Sequence, residues 1–335
     1  MKVVLLPGDG IGPEVVGEAG KALAALAPEI DLAEHPIGQQ AIAADGEALP
    51  AATLAACHEA DAVLLGAVGS GDYSWSASNP EDGMFTLRRE LDVYANVRPF
   101  RAADIDLMIV RELVGGLYFG ERGVRDDGTV FDTCEYRPDQ VDRVLRRGFE
   151  LARSRRGKLT SVDKANVLAT SRLWRERALA LAADYPDVEL DHLLVDTAAM
   201  RLVQAPESFD VIVTENTFGD ILSDVAAALA GGLGIAASAS LGDGGPGLFE
   251  PVHGTAPDIA GKGVANPTAA IRSVAMLLEH GLGLPGEAAR LDAALDRVAA
   301  TVQTPDQGGT ATTAEFGDAV VAALAAPCTK ELADA

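Results

Sequence analysis

Phe249-Glu250-Pro251-Val252-His253-Gly254-Thr255-Ala256-Pro257-Asp258-Ile259 is a run dense in proline, glycine and small residues. Such a composition contributes little to a core and suits a loop. It carries a His, a Gly-Thr-Ala turn and an Asp at short spacing. That set fits a flat, polar, hydroxyl-rich ligand such as adenosine. An ordinary surface loop can have the same composition, so the neighbouring sequence has to decide. Upstream stands Asn216-Thr217-Phe218-Gly219-Asp220-Ile221-Leu222-Ser223-Asp224, and downstream Gly261-Lys262-Gly263-Val264-Ala265-Asn266-Pro267-Thr268.

Around these segments, short apolar runs alternate with longer alanine-rich ones. Strands are expected at 3–6, 62–65, 107–110, 159–162, 190–195 and 211–213, and helices at 13–26, 139–153, 173–183, 221–229, 268–280 and 291–302. This alternation is the α/β pattern. Gly8-Asp9-Gly10-Ile11-Gly12-Pro13-Glu14 follows the first strand and opens a helix, as a dinucleotide-binding turn would. Its glycine spacing is not G-x-G-x-x-G, however, and a tight strand-to-helix turn is the simpler reading.

The 335 residues suffice for one large or two moderate domains. With 27 basic and 50 acidic residues the net charge is −23, which disfavours nucleic acid and anionic membrane surfaces as partners. An anionic ligand would need a local cluster of Arg and Lys to overrule that average. Cys57, Cys134 and Cys328 lack metal-ligand or redox spacing and fit free thiols in a reducing cytoplasm. The apolar start of the chain is too short for a signal peptide, and residues 225–239 are too short to span a bilayer. A soluble cytoplasmic protein is expected.

Several charged residues invite a chemical reading. Arg88, Arg98 and Arg111 each follow an apolar residue, so each can emerge from the edge of a buried element. A guanidinium fork clamps a carboxylate with two parallel hydrogen bonds, although any one of them could equally be a surface ion-pair partner. Asp220 and Asp224, four apart, share a helix face and repel one another unless a cation lies between them. Asp196 opens a further helix. All-oxygen ligands suit Mg²⁺ or Mn²⁺ rather than zinc, while helix capping would explain each Asp taken singly. Lys164 in Ser161-Val162-Asp163-Lys164-Ala165-Asn166-Val167-Leu168 stands just past a strand. Tyr118 lies in the glycine-rich turn Gly115-Gly116-Leu117-Tyr118-Phe119-Gly120.

Together these segments strongly resemble the β-decarboxylating dehydrogenases, the isocitrate and isopropylmalate family, over nearly the whole chain. The resemblance implies an isopropylmalate dehydrogenase-like fold: two α/β domains with discontinuous connectivity, not a Rossmann fold. Residues 1–93 plus 231–335 would form the cofactor-side domain, and residues 94–230 the substrate, metal and dimerisation domain. It implies that Arg88, Arg98 and Arg111 hold the malate part of a substrate, with Asp220 also in reach, and that Asp196, Asp220 and Asp224 are the metal ligands. Lys164 would take the proton of the substrate hydroxyl, and Tyr118 would help protonate the carbon left by decarboxylation. Tyr136 lies outside the matching segment and is given no role. Lys164 and Asp196 would act in trans in a homodimer. The loop after the first strand would line the nicotinamide side of the cleft. The cofactor contacts would be Glu81, near the nicotinamide ribose, with Glu250, His253, Gly254, Thr255, Ala256, Asp258, Ile259 and Asn266.

Two segments then bear on specificity. In Pro80-Glu81-Asp82-Gly83-Met84-Phe85-Thr86-Leu87-Arg88, isocitrate-specific relatives carry Ser and Asn for a third carboxylate. Here Asp82 would repel one, while Met84 and Phe85 offer apolar surface worth a few kcal/mol to a buried isopropyl group. The expected substrate is 3-isopropylmalate, oxidised and decarboxylated to 4-methyl-2-oxopentanoate; another 3-alkylmalate, homoisocitrate, D-malate or tartrate is the alternative. A non-catalytic relative should have lost some of Lys164, Tyr118, Asp220 or Asp224, and all are present. In Asp258-Ile259 the Asp would accept hydrogen bonds from the ribose hydroxyls and repel a 2′-phosphate, so NAD is the expected nucleotide. Only about a dozen residues separate Arg98 from Arg111, fewer than in typical isopropylmalate enzymes, which reads as a deleted surface loop.

Overall fold

The computed structural model describes residues 1–71, 79–102 and 104–325; Cys328 lies outside them. The chain forms two compact units, Met1–Met84 with Phe249–Ala335, and Phe85–Leu248. The first begins with β1 (Lys2–Gly8), α1 (Gly12–Leu26), β2 (Asp31–Glu34), α2 (Gln39–Asp45), α3 (Ala51–His58) and β3 (Ala62–Ala67), and the chain leaves it within α4 (Pro80–Glu90). The second holds β4 (Ala95–Ala102), β5 (Ile105–Glu112), the hairpin β6 (Arg122–Val124) and β7 (Val130–Asp132), α5 (Pro138–Arg153), β8 (Lys158–Asp163) and α6 (Ala169–Ala182). It continues through β9 (Glu189–Leu194), α7 (Val195–Gln204), β10 (Val211–Thr214), α8 (Asn216–Leu229) and β11 (Ala237–Leu241). β12 (Gly247–Pro251) returns the chain to the first unit, which ends with α9 (Thr268–Met276), α10 (Pro285–Ala299) and α11 (Thr313–Ala325).

In the first unit the strand order is β2-β1-β3-β12, with β1 parallel to both β2 and β3. In the second it is β11-β4-β5-β10-β8-β9, where β5, β10, β8 and β9 are mutually parallel and β4 runs antiparallel to both its neighbours, β5 and β11. Every residue of β3 and β10 is buried, which is why these strands read as continuous apolar runs rather than alternations. Helix α5 buries Val141, Val144, Leu145, Gly148, Phe149 and Ala152, a single helical stripe, against β10 and β8. Gly148 lets the helix sit close, since a Cβ there would stand 3.1 Å from Val213.

Several elements differ from expectation. The helix expected at 221–229 starts at Asn216, because Glu215 caps it by accepting a hydrogen bond from the Phe218 amide at 2.7 Å. The one expected at 268–280 ends at Met276 and widens into a π-turn over Leu277–Gly281. β4 and β11 escape an apolar-run reading because Asn96, Arg98, Ser238 and Ser240 are buried within them. Their pairing carries residues 237–248 into the second unit, so the units divide at 84/85 and 248/249 rather than at 93/94 and 230/231. Phe249, the start of the supposed loop, is fully buried in the middle of β12, packed over Gly281. Only from Val252 does the run behave as a loop. Among the described residues no helix is long and apolar enough to cross a membrane, and Cys57 and Cys134 are free thiols.

Candidate active site

In the second unit, four parallel strands bring their carboxyl ends to one edge, the place where open α/β sheets gather ligands. Arg111 is the penultimate residue of β5, paired in register with Thr214 of β10. Two residues beyond Thr214, Asn216 opens α8. Lys164 follows β8, and Asp196 stands in the first turn of α7 after β9.

Arg98 and Arg111 both reach Asp220. Their side chains are only 6% and 3% exposed, whereas that of Asp220 is 39% exposed. Arg111 donates Nη1–H to Asp220 Oδ1 and Nε–H to Asn216 Oδ1 at 2.9 Å. Arg98 lies with Nη2 3.8 Å from Asp220 Oδ1; its Nη1 donates to Ser223 Oγ and its Nε to Asn96 Oδ1, each at 2.6 Å. The strands that carry the two arginines pair antiparallel, with Arg98 opposite Ile109 and the register continuing to Ala102 and Ile105. Arg88, in the last turn of α4, is likewise buried.

Tyr118 donates its hydroxyl to Asp220 Oδ2 at 3.1 Å. Burial first, and then the charge of Asp220, holds the phenol above its ordinary value, so it stays protonated and able to donate. Phe85 packs against the rings of Tyr118 and Phe119, with centroids 6.1 and 5.5 Å apart. Met84 and Phe85 are both half-buried, so neither is a fully enclosed core residue.

Lys164 and Asp196 form a separate pair, Nζ to Oδ1 at 2.7 Å, and that hydrogen bond draws the Asp196 carboxyl below its ordinary value. The strand end beneath Lys164 is fixed by the buried Asp163. Arg175 grips it through Nε–H and Nη2–H at 2.8 and 2.9 Å, and the Ala165 amide donates to it at 2.9 Å. Among the described residues no hydrogen bond or ion pair joins the Lys164–Asp196 pair to Asp220 or Asp224, and no three His, Cys, Asp or Glu side chains gather to hold a metal. Asp220 and Asp224 do suit a divalent cation. They are hard oxygen donors one helical turn apart, and partial desolvation together with the charge of Asp220 raises the Asp224 carboxyl. Among the described residues Asp196 is not gathered with them into a three-carboxylate group.

In the first unit, the loop after β1 packs against the loop after β12: the Ile11 amide donates to the Thr255 carbonyl at 2.9 Å. Gly10, at φ +59, leaves no room for a Cβ against Thr255. Asp9 is structural. Its buried carboxylate accepts from the amides of Gln39 and Gly69 at 2.9 and 3.0 Å. Glu14 holds the glycine-rich downstream turn through the Gly261 and Gly263 amides. Ala256 adopts φ +41, which is strained for a residue with a side chain. His253 Nδ1–H donates to the Gly254 carbonyl at 3.0 Å; that acceptor sets the tautomer and leaves Nε2 a buried acceptor with no partner among the described residues. Burial also holds its pKa below the ordinary value, so the ring is neutral. Asn266 donates to Asp306 and accepts from the Thr268 amide, both at 3.0 Å, while Asp258 is exposed. A neutral imidazole acceptor, an oriented carboxamide and an exposed carboxylate are polar groups compatible with an adenosine. Glu81 is half-buried beside Gly69, and Glu250 is buried in β12.

Sequence reasoning missed Asn96, Ser223, Asn216, Glu215, Glu112 and Tyr136, all buried or nearly so around the two arginines. One signal was available: a polar residue set between apolar ones, as in Tyr94-Ala95-Asn96-Val97, marks a buried hydrogen-bonding group.

The sequence model of the isocitrate/isopropylmalate dehydrogenase family matches residues 2–320. A 3-isopropylmalate dehydrogenase of Anaeromyxobacter dehalogenans is 49% identical, the match covering 97% of this chain and 99% of that protein. One of Bacillus subtilis is 49% identical over 90% and 89%. Among solved structures, an isocitrate dehydrogenase from Methylococcus capsulatus superposes with a TM-score of 0.89 at 38% identity, covering 96% of this chain and 99% of that one.

Proposed function

This chain belongs to the isocitrate/isopropylmalate dehydrogenase family, and from that premise we propose that it oxidises and decarboxylates (2R,3S)-3-isopropylmalate to 4-methyl-2-oxopentanoate and CO₂ with NAD, a step of leucine biosynthesis in the cytoplasm. The observation that carries the reading is the convergence of Arg98, Arg111 and Tyr118 on Asp220. It gathers two buried guanidiniums at one point of a molecule of net charge −23, and these are the groups that can pair with the carboxylates of such a substrate.

The arginines, with Arg88, hold the substrate carboxylates and fix which carbon is presented for oxidation. Lys164 accepts the hydroxyl proton as C2 is oxidised, and Tyr118 returns a proton to the carbon that has lost CO₂. Asp220 and Asp224, with Asp196 from a second copy, would hold Mg²⁺ or Mn²⁺, which when bound would supply Lewis-acid polarisation of the substrate oxygen. In the first unit His253 and Asn266 receive the adenosine, and Asp258 favours NAD by accepting ribose hydroxyls. Glu81, Glu250, Gly254, Thr255, Ala256 and Ile259 complete that contact surface. Met84 and Phe85 cover the isopropyl group.

The working unit is a homodimer in which Lys164 and Asp196 serve the partner's site. Helices α7 and α8 pack together and leave Met200, Val203 and Ile221 54%, 60% and 56% exposed, an apolar face that supports a second copy seated there. The likeness to the Methylococcus isocitrate dehydrogenase supports a second reading, oxidation of isocitrate. The test is NADH formation with 3-isopropylmalate, isocitrate and D-malate, with and without a chelator. We expect 3-isopropylmalate to be preferred and chelation to abolish turnover. Preference for another acid would replace the substrate, and oxidation of none would overturn the reading.

A further inference from the structure

Behind Arg111 lies a chain of buried polar groups that the chemistry above does not use. Asn216 sits at its centre, fully buried. Its Oδ1 accepts from Arg111 Nε and its Nδ2 donates to the Gly115 carbonyl, both at 2.9 Å, so neither end of the carboxamide can turn without losing a partner. Its backbone amide, one of the unpaired donors that begin α8, donates to Tyr136 Oη at 3.0 Å. Tyr136 in turn donates to Glu215 Oε2 at 3.2 Å, and Glu215 Oε1 caps α8 through the Phe218 amide. On the other side, the buried Glu112 accepts from the Val114 and Gly115 amides at 3.1 and 2.9 Å, holding the turn that presents the Gly115 carbonyl. The double glycine exists for Tyr136. A Cβ on Gly115 would lie 2.8 Å from its ring, and one on Gly116, at φ +74, would strike its hydroxyl.

Each link ends on a group the site needs. Arg111 is oriented by Asn216, and Asp220 and Ser223 ride on the helix whose first turn Tyr136 and Glu215 complete. Fixing the guanidinium during folding removes the ordering cost from the binding step. Resting on the function proposed above, we infer that Tyr136, with Glu112 and Asn216, is a positioning set that aims Arg111 at the substrate carboxylate without touching the substrate.

Tyr136→Phe removes only the hydroxyl. With saturating NAD and Mg²⁺, the KM for 3-isopropylmalate should rise about tenfold, the KM for NAD should stay at its wild-type value, and hydrogen exchange should quicken at the amides of Asn216 and Phe218. Phe149→Leu, in the core of the same unit and outside this network, should lower Tm without moving either KM. Should Tyr136→Phe fail to fold, Glu112→Gln, which keeps one carbonyl acceptor, should move the same KM by a smaller factor, and Glu112→Ala by a larger one. An unchanged KM for 3-isopropylmalate, or an equal rise for NAD, overturns the inference. If the wild-type protein oxidises none of the acids, the proposed function fails instead. Exchange at Asn216 in Tyr136→Phe then still decides the hydrogen-bonded set, and wild-type exchange rates there would sink it.

Discussion

Glu112 has no exposed surface, and burial pushes its carboxyl up from an ordinary value of 4.5 to about 7. The Val114 and Gly115 amides, the Arg143 guanidinium on α5 and the Tyr136 hydroxyl all pull the other way without cancelling that cost, and Cys134 lies within its field. A carboxyl with a raised folded-state value binds a proton that the unfolded chain has already released. Stability from this group therefore falls as pH rises from about 4.5 to about 7, and above that the ionised form costs roughly 3 kcal/mol. Glutamine cannot ionise. Urea unfolding across that range should show the balance between wild type and Glu112→Gln moving toward wild type as the solution is acidified. A difference independent of pH would mean that Glu112 does not titrate there.

Helix α8 works as a single part. It begins on the Glu215 cap, carries Asn216 against Arg111, Asp220 against both arginines, and Ser223 against Arg98. Gly219 faces the stem of Arg111: a Cβ there would stand 2.8 Å from the arginine Cβ and 2.7 Å from its Cγ. Alanine is the better helix former by about 1 kcal/mol, so Gly219→Ala opposes a propensity gain to a displaced arginine. We expect the KM for 3-isopropylmalate to rise several-fold, whereas Gly17→Ala, whose Cβ would meet nothing within 4 Å, should stabilise α1 by about 0.5–1 kcal/mol and leave KM alone. Equal kinetics in the two variants would show that the closeness of Gly219 to Arg111 has no bearing on binding.

For the whole molecule, the lack, among the described residues, of any hydrogen bond or ion pair between the Lys164–Asp196 pair and Asp220 makes assembly testable. Lys164→Ala and Asp220→Asn proteins should each be inactive. In a mixed dimer with trans-acting lysines, one site receives wild-type Asp220 from one copy and wild-type Lys164 from the other. Random remixing should then restore about a quarter of wild-type turnover, because half the dimers are mixed and each has one intact site. If the lysine acts on its own chain, remixing restores nothing. Sedimentation of the wild-type protein as a monomer would also remove this arrangement.

The sequence alone determined the α/β class, the main parallel strands and the identity of the charged residues that converge. Strand and helix periodicity is written over a few neighbouring residues, and motifs such as SVDKANVL and NTFGDILSD keep their chemistry within one turn. Tertiary structure alone decided what orients those charges. Arg98 meets Ser223 across 125 positions, and Arg111 meets Asn216 across 105. No local period encodes such pairings: a buried donor must find an acceptor wherever the packed sheet brings one within reach. The same cause moved Phe249 from loop to core, gave Tyr136 its place, and drew β11 into the second unit.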